Sequence, residues 1–221
     1  CRLYGSDPQF LCCSATVANP MELMQRLLGD GREVAIIDDD GSPRGARHFL
    51  FWNPPPLGDG GRVSTNLEAT QLLASLVRDG VRTILFTRAR KTAELILRYA
   101  RFALQDTAPE LAARITSYRA GYSPEQRREI ERALFDGELL GVTSTNALEL
   151  GIDIGNLHAC IIAGYPGSIA STWQQAGRCG RGHDESLVIL VALDNPLDQY
   201  LMRHPEYFFG SPPEHAIVDP G

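Results

Sequence analysis

Two hydrophobic rhythms alternate along the chain from Ser64 to Asp194. Thr65-x-x-Glu68 has the wording of a capping box, and Leu72, Leu73, Leu76 and Val77 after it share one helical face that stops at Gly80. Thr83-Ile84-Leu85-Phe86-Thr87 is a compact apolar run, the signature of a buried strand. A second helix sets Leu95, Ile96, Tyr99, Phe102 and Ala103 at core spacing, and Arg114 to Tyr118 is the next strand. Ser123-Pro124-Glu125-Gln126 opens a helix with an N-cap serine, a proline at N1 and a glutamine at N3. Ile130, Leu134 and Phe135 form its inner face and Gly137 its end. Leu139 to Thr143, His158 to Ala163 and Leu187 to Leu193 supply three more strands. Continuous apolar strands separated by amphipathic helices predict an α/β fold, a parallel sheet with helices on both faces.

The flanks read differently. Gln9 to Cys13 is a short apolar strand delivering Ser14-Ala15-Thr16 to a turn. Met21, Met24, Leu27 and Leu28 then share a helical face ending at Gly29. Val34 to Ile37 and His48 to Trp52 lie around Asp38-Asp39-Asp40-Gly41, the pattern of a hairpin-like connection through a solvated acidic turn. Pro54-Pro55-Pro56 through Gly61 reads as a linker. The organisation expected is residues 1–30 as the end of a preceding lobe, 31–63 as a linker with hairpin, 64–195 as the main lobe, and 196–221 as a tail with Tyr200, Tyr207, Phe208 and Phe209.

Composition narrows the classes. A chain of 221 residues with 43% hydrophobic and 22% charged residues can bury a core. No apolar run approaches the ~20 residues that span a membrane, and neither a signal peptide nor a membrane partner is expected. Beginning at Cys1 rather than Met, it is expected to be cut from something longer. Five cysteines without a C-x-x-C pair fit a reducing compartment such as the cytoplasm. Cys12, Cys13 and Cys160 sit in apolar runs and are read as packing residues, and no metal site is expected. The net charge of -6 argues against a generally cationic polyanion binder but leaves room for a local groove. Lys91 is the only lysine and follows Arg90, so the chain contains no G-x-x-x-x-G-K-[ST] loop. Any nucleotide site here is half a site.

Chemistry concentrates in Gln174-Gln175-Ala176-Gly177-Arg178-Cys179-Gly180-Arg181. If the helix suggested by Ser168 to Ala176 continues, Gln174, Arg178 and Arg181 fall at i, i+4 and i+7, with Gly182 as a left-handed cap. Paired guanidinium forks suit polyphosphate; the competing reading is a basic helix end complementing its own dipole. Gly177 and Gly180 each cost a helix roughly 1 kcal/mol, which fits a place where an anion approaches the backbone. Polar clusters also close the strands: Thr87-Arg88, Arg119-Ala120-Gly121-Tyr122, Ser144-Thr145-Asn146, and then Gly151-Ile152-Asp153. At the carboxyl ends of a parallel sheet such groups suit sequence-blind contacts to a phosphate backbone, or serve as helix caps. Asp153 either caps a turn or bonds a ribose hydroxyl or a motif arginine. Trp173 fits core packing better than base stacking.

Ser14-Ala15-Thr16, Thr143 to Asp153 (TSTNALELGID) and Gln174 to Arg181 (QQAGRCGR) resemble motifs III, V and VI of superfamily 2 helicases, in that order, and Phe86-Thr87-Arg88 looks like motif IV. The wording, with the Asp38 to Gly45 turn, is most similar to the bacterial mitomycin-repair helicases and their fungal RecQ-related cousins. The resemblance covers nearly the whole chain and implies the second RecA-like lobe of an ATP-dependent DNA helicase acting in repair. Arg181 would then be the arginine finger, with Arg178 and Gln174 reaching the phosphates of Mg2+-ATP gripped by a first lobe. Gly151 and Asp153 would couple the nucleotide to motif V. Thr87, Arg88, Arg119, Ser144, Thr145 and Asn146 would track single-stranded or partly duplex DNA, and Ser14 and Thr16 would link hydrolysis to strand movement. Cys179 departs from the Ala or Thr usual at its place and introduces an oxidisable thiol. Gln174 replaces the His of DEAD-box RNA helicases, which tilts the expectation to DNA. An RNA helicase lobe and a non-catalytic docking module are the alternatives.

Overall fold

Six apolar runs pair side by side because each crossover, most of them α-helical, returns the chain to the same end of the sheet, which parallel pairing requires. The computed structural model describes residues 5, 6, 8–14, 16–29, 33–39, 41, 45–58, 60–149, 154–180 and 184–217. In chain order the elements are α1 (Pro20–Leu28), β1 (Arg47–Trp52), α2 (Thr65–Arg78), β2 (Thr83–Thr87), α3 (Arg90–Gln105), α4 (Pro109–Ala112), β3 (Ile115–Tyr118), α5 (Pro124–Phe135), β4 (Gly141–Ser144), β5 (Ala159–Ala163), α6 (Ile169–Ala176), β6 (Ser186–Val191), α7 (Pro196–Arg203) and α8 (Pro205–Gly210). The strands form one sheet in the order β1-β6-β5-β2-β4-β3, parallel throughout. Strands β2, β4 and β5 are buried at every position, which is why they read as unbroken apolar runs.

Alternate side chains serve opposite faces. Leu85, Ile161 and Ile189 meet Leu73 and Val77 of α2 and Ile96 and Leu104 of α3. Ile84, Phe86, Val142 and Leu190 meet Leu134 of α5 and Ala176 of α6. A third cluster joins α8 to the sheet: Phe208, fully buried, packs 5.3 Å from Phe49 and stacks 5.3 Å from Trp173. Core packing is therefore what Trp173 does. No helix among the described residues is long and apolar enough to cross a membrane.

Several local expectations give way to long-range partners. The hairpin is not formed: residues 33–39 carry no strand, and Ile37 is 94% exposed. β1 instead pairs with β6 from Arg47↔Ser186 to Trp52↔Val191, so the sheet extends outside residues 64–195. The aromatic tail after Pro196 packs on the sheet, where α7 and α8 cover the Phe49 and Phe51 side of β1. Gln9 to Cys13 is not a strand either, and Cys12 and Cys13 are exposed; Cys160 alone of the three is buried. The capping box at Thr65 is replaced by two tethers. Thr65 Oγ1 donates to the Ala192 carbonyl at 2.6 Å, and Glu68 accepts from Trp52 Nε1 at 3.0 Å. Ser123 and Gln126 do form the reciprocal capping box. On α3 the period is right but the phase is off: Ala93, Ile96, Leu97, Ala100 and Leu104 face inward, leaving Leu95, Tyr99 and Phe102 exposed. Phe135 is also turned outward.

Truncating Phe208 removes the ring that ties β1 to α6. Phe208→Ala is expected to lower unfolding free energy by about 3–5 kcal/mol, measured by urea denaturation, with half-exposed Phe209→Ala costing clearly less.

Candidate nucleotide and nucleic-acid site

The chain leaves β2 through α3 on one face of the sheet, towards β3, and leaves β5 through α6 on the other face, towards β6. Where two adjacent strands send their connections in opposite directions, a crevice opens beyond their carboxyl ends. Here it has a volume of about 300 Å³ and is walled by Thr87, Arg88, Asn146, Glu149, Gly164, Ser171 and Gln175, among others. Gly164 adopts φ +84°, and a Cβ there would sit 2.6 Å from the Leu193 side chain, so only glycine lets the β5 exit pass. Arg88 donates to the Tyr165 carbonyl across the crevice. Asn146 is exposed at the start of a single 3-10 turn, Asn146–Leu148, for which buried Thr145 is the N-cap.

Three of the six backbone-tracking residues predicted, Thr87, Arg88 and Asn146, thus share one concavity. Ser144 does not join them: fully buried, its hydroxyl donates to the Tyr118 carbonyl at 3.1 Å, so its proton is committed inside the sheet. Arg119 lies beyond the end of β3, paired with Glu94 at 3.5 Å and 4.6 Å from the centre of the Tyr122 ring.

Helix α6 is anchored at its start by Ser168, whose Oγ accepts from the Ser171 N–H at 3.0 Å. The Glu214 carboxylate also accepts there, from the Ile169 and Ala170 N–H groups at 2.7 and 2.9 Å. The helix stops at Ala176 with Gly177 as C-cap, and Gly180 turns the chain at φ +76°. Arg178 therefore lies in the turn beyond the helix, its N–H donating to the Gln175 carbonyl at 3.1 Å, and does not continue α6 at i+4 from Gln174. The tight approach that demands glycine at 180 is to β6, since a Cβ would lie 2.3 Å from Ser186 Oγ; no anion is needed to explain it. Gln174 itself is half-buried. Arg181, Gly182, Gly151 and Asp153 lie outside the described residues.

Arg178 is 9% exposed and sends Nε and Nη2 to the Glu149 carbonyl at 3.1 and 2.5 Å. The carboxylate of Glu149 accepts from Ser171 Oγ and Gln175 Nε2, both at 2.9 Å. Backbone and side chain of one residue thereby bind the motif V turn to α6 and to the turn after it. Sequence reasoning missed Glu149, Ser171 and Gln175. The available signal was the i, i+4 spacing of Ser171 and Gln175, with an acid set between Leu148 and Leu150.

Cys179 is buried, and burial pushes its thiol up to about 11, which keeps it protonated and sheltered rather than exposed to oxidation. Ser14 is exposed and Thr16 half-exposed. Asn19 beyond them exchanges two hydrogen bonds with the Ala216 backbone, at 3.1 and 2.9 Å. Through neighbouring Glu214, that end of the segment is tied to the first turn of α6. Among the described residues no three His, Cys, Asp or Glu side chains converge to hold a metal.

Residues 67–183 match the family model described as helicase conserved C-terminal domain. The chain belongs to the helicase C-terminal domain family. It is 50% identical, across its full length, to the uncharacterized ATP-dependent helicase YprA of Bacillus subtilis, of which it covers 29%. It is 44% identical over 93% of its length to the ATP-dependent helicase HRQ1 of Saccharomyces cerevisiae, covering 19% of that protein. Among solved structures, DUF1998 helicase MrfA bound to DNA and AMPPNP superposes with a TM-score of 0.93 at 50% identity, covering 99% of this chain and 30% of that one. The chain thus spans less than a third of these relatives. This helicase C-terminal domain is a RecA-like superfamily 2 lobe related to the bacterial repair helicases and fungal HRQ1.

Two buried phenols report on the site's surroundings. Tyr118 donates to Glu131 at 2.6 Å, and burial, then that carboxylate, pushes it up to about 12. Tyr165, whose carbonyl receives Arg88, is pushed up to about 12 by burial and then by Glu214. A phenol raised above its unfolded value of about 10 keeps its proton only in the folded chain, so its stabilisation is complete below pH ~10 and is lost as pH rises towards ~12. The melting temperature is expected to fall as pH rises from about 10 towards about 12, with a shallower fall in Tyr118→Phe; an unchanged slope in that variant contradicts the assignment.

Proposed function

We propose that this chain is the second motor lobe of an ATP-dependent DNA helicase, working on single-stranded DNA with a first RecA-like lobe that supplies the phosphate-gripping loop. The observation that carries the reading is the crevice at the β2/β5 switch point. Thr87, Arg88 and Asn146 share its walls with Glu149 and Gln175, so the groups suited to a phosphate backbone abut the network that holds α6. The relatives add weight: MrfA has been solved with DNA and with AMPPNP.

In this reading Thr87, Arg88 and Asn146 contact the sugar–phosphate backbone in the crevice without reading bases, with Thr145 contributing at the N-cap beside Asn146 and Arg119 contributing from the end of β3. The buried Ser144 supports the strand end from inside. Arg181 is the arginine finger and Gln174 an accompanying γ-phosphate contact. Arg178, gripped by the Glu149 carbonyl, holds the finger's turn against motif V. Gly151 and Asp153 couple the nucleotide to that motif, and Ser14 and Thr16 communicate with the first lobe. Positive charge brought against the transferring phosphoryl group can be worth ~10³–10⁵ in rate, so lobe closure acts as the catalytic switch. The described residues offer no ligand set for Mg2+; it would be held by the first lobe.

In the intact polypeptide, Arg181→Ala is expected to lower DNA-stimulated ATP hydrolysis by roughly 10³-fold while changing DNA affinity by less than about threefold. Parallel loss of both contradicts the role given to Arg181. The 221-residue chain alone is expected to show no turnover. Stimulation by RNA but not by DNA would reassign the substrate.

A further inference from the structure

The outward face of α3 has no role in the site described above. Leu95, Tyr99 and Phe102, at i, i+4 and i+7, are 42%, 51% and 72% exposed. The helix bears Arg90, Lys91, Arg98 and Arg101 against one acid, Glu94, in a chain whose net charge is -6. Ser117 and Arg119 hold that acid at 2.9 and 3.5 Å, and Arg101 is turned onto the Ile115 carbonyl. Two grooves run along this face. The first, about 330 Å³, is walled by Arg90, Lys91, Leu95, Arg98 and Arg119; the second, about 670 Å³, by Arg98, Tyr99 and Phe102. Glu94 and Arg98 line both, so the path is continuous from the end of β3 down the helix.

We propose that this face is a second lane for single-stranded nucleic acid, leading off the crevice past Arg119. Lys91 and Arg98 take phosphates, and Tyr99 and Phe102 offer ring faces on which bases stack. The proposal rests on the nucleic-acid track proposed above. Arg90 to Phe102 spans about 18 Å of helix at ~1.5 Å per residue, enough to hold several nucleotides. Cations interleaved with exposed rings are what a sequence-blind strand requires, because every base has a face and every nucleotide a charge. An acidic amphipathic helix would also meet cations and apolar groups. The nucleic acid is favoured because Arg119 walls the first groove and Arg88 adjoins the start of α3.

The test is fluorescence anisotropy of the full 221-residue chain with labelled oligothymidylates of about 8 and about 20 nucleotides, lengths bracketing a single-lobe site. Tyr99→Ser/Phe102→Ser is expected to weaken the longer strand at least about thirtyfold and the shorter less than about twofold. Lys91→Ala/Arg98→Ala is expected to reduce the salt slope for the longer strand by about 1.4, the value for two single-strand phosphate contacts. Equal circular-dichroism melts show that the variants fold. Thr87→Val/Asn146→Ala probes the crevice separately and should weaken both lengths. If those two changes do nothing while the α3 changes act, the crevice assignment fails and the lane stands. Wild-type affinity of the Tyr99/Phe102 variant for the longer strand overturns the lane. Loss of self-association alone in that variant, seen by sedimentation, also overturns it and makes the face a contact between copies.

Discussion

Glu149 is the residue on which the site's geometry depends. Its carboxylate fixes Ser171 and Gln175 of α6, and its carbonyl fixes Arg178 beyond that helix. A carboxylate receiving two hydrogen bonds and a carbonyl receiving a guanidinium are charge-assisted contacts, stronger than neutral ones. Arg178 and Gln175 are buried, so leaving either without its partner would be costly. The position of the arginine-bearing turn is therefore set from the motif V segment, not by α6 alone, whose last helical residue is Ala176.

The sheet makes this junction possible. Because β2 and β5 are neighbours whose connections diverge, motif IV at the end of β2 and α6 after β5 face one another across a single crevice. Behind it, α6 is held from the other side by the aromatic cluster of Trp173, Phe49, Phe51 and Phe208. Elements from residues 47 to 210 thus converge on one eight-residue helix. Movement of α6 relative to the motif V turn would have to break hydrogen bonds on one side or ring contacts on the other.

The central strands and most helices were legible because their signals are local. Ile84-Leu85-Phe86 is buried on both faces, and Ser123 and Gln126 satisfy each other three residues apart. What stayed hidden was decided by distant partners. His48 to Trp52 looked like half of a hairpin because nothing nearby discloses β6 or the Phe208 that covers it. The face of α3 was misjudged because Leu95, Tyr99 and Phe102 are larger than Ala93 and Ala100, yet it is the two alanines that turn inward together with Ile96, Leu97 and Leu104. In the site, hydroxyls and arginines at strand ends pointed to Thr87, Arg88 and Asn146. Residue type could not show that Ser144 turns inward, or that Glu149 ties the parts together. Gly180 announced a constraint, and its source proved to be Ser186 rather than a ligand.

The most direct test of this linkage is a double-mutant cycle on Glu149→Ala and Gln175→Ala, read by urea unfolding and by nucleic-acid-stimulated ATP hydrolysis of the intact polypeptide. If the bond between these side chains joins motif V to α6, the two changes should be non-additive in both readouts, with a coupling above about 0.5 kcal/mol. Effects that simply add in both would contradict the account.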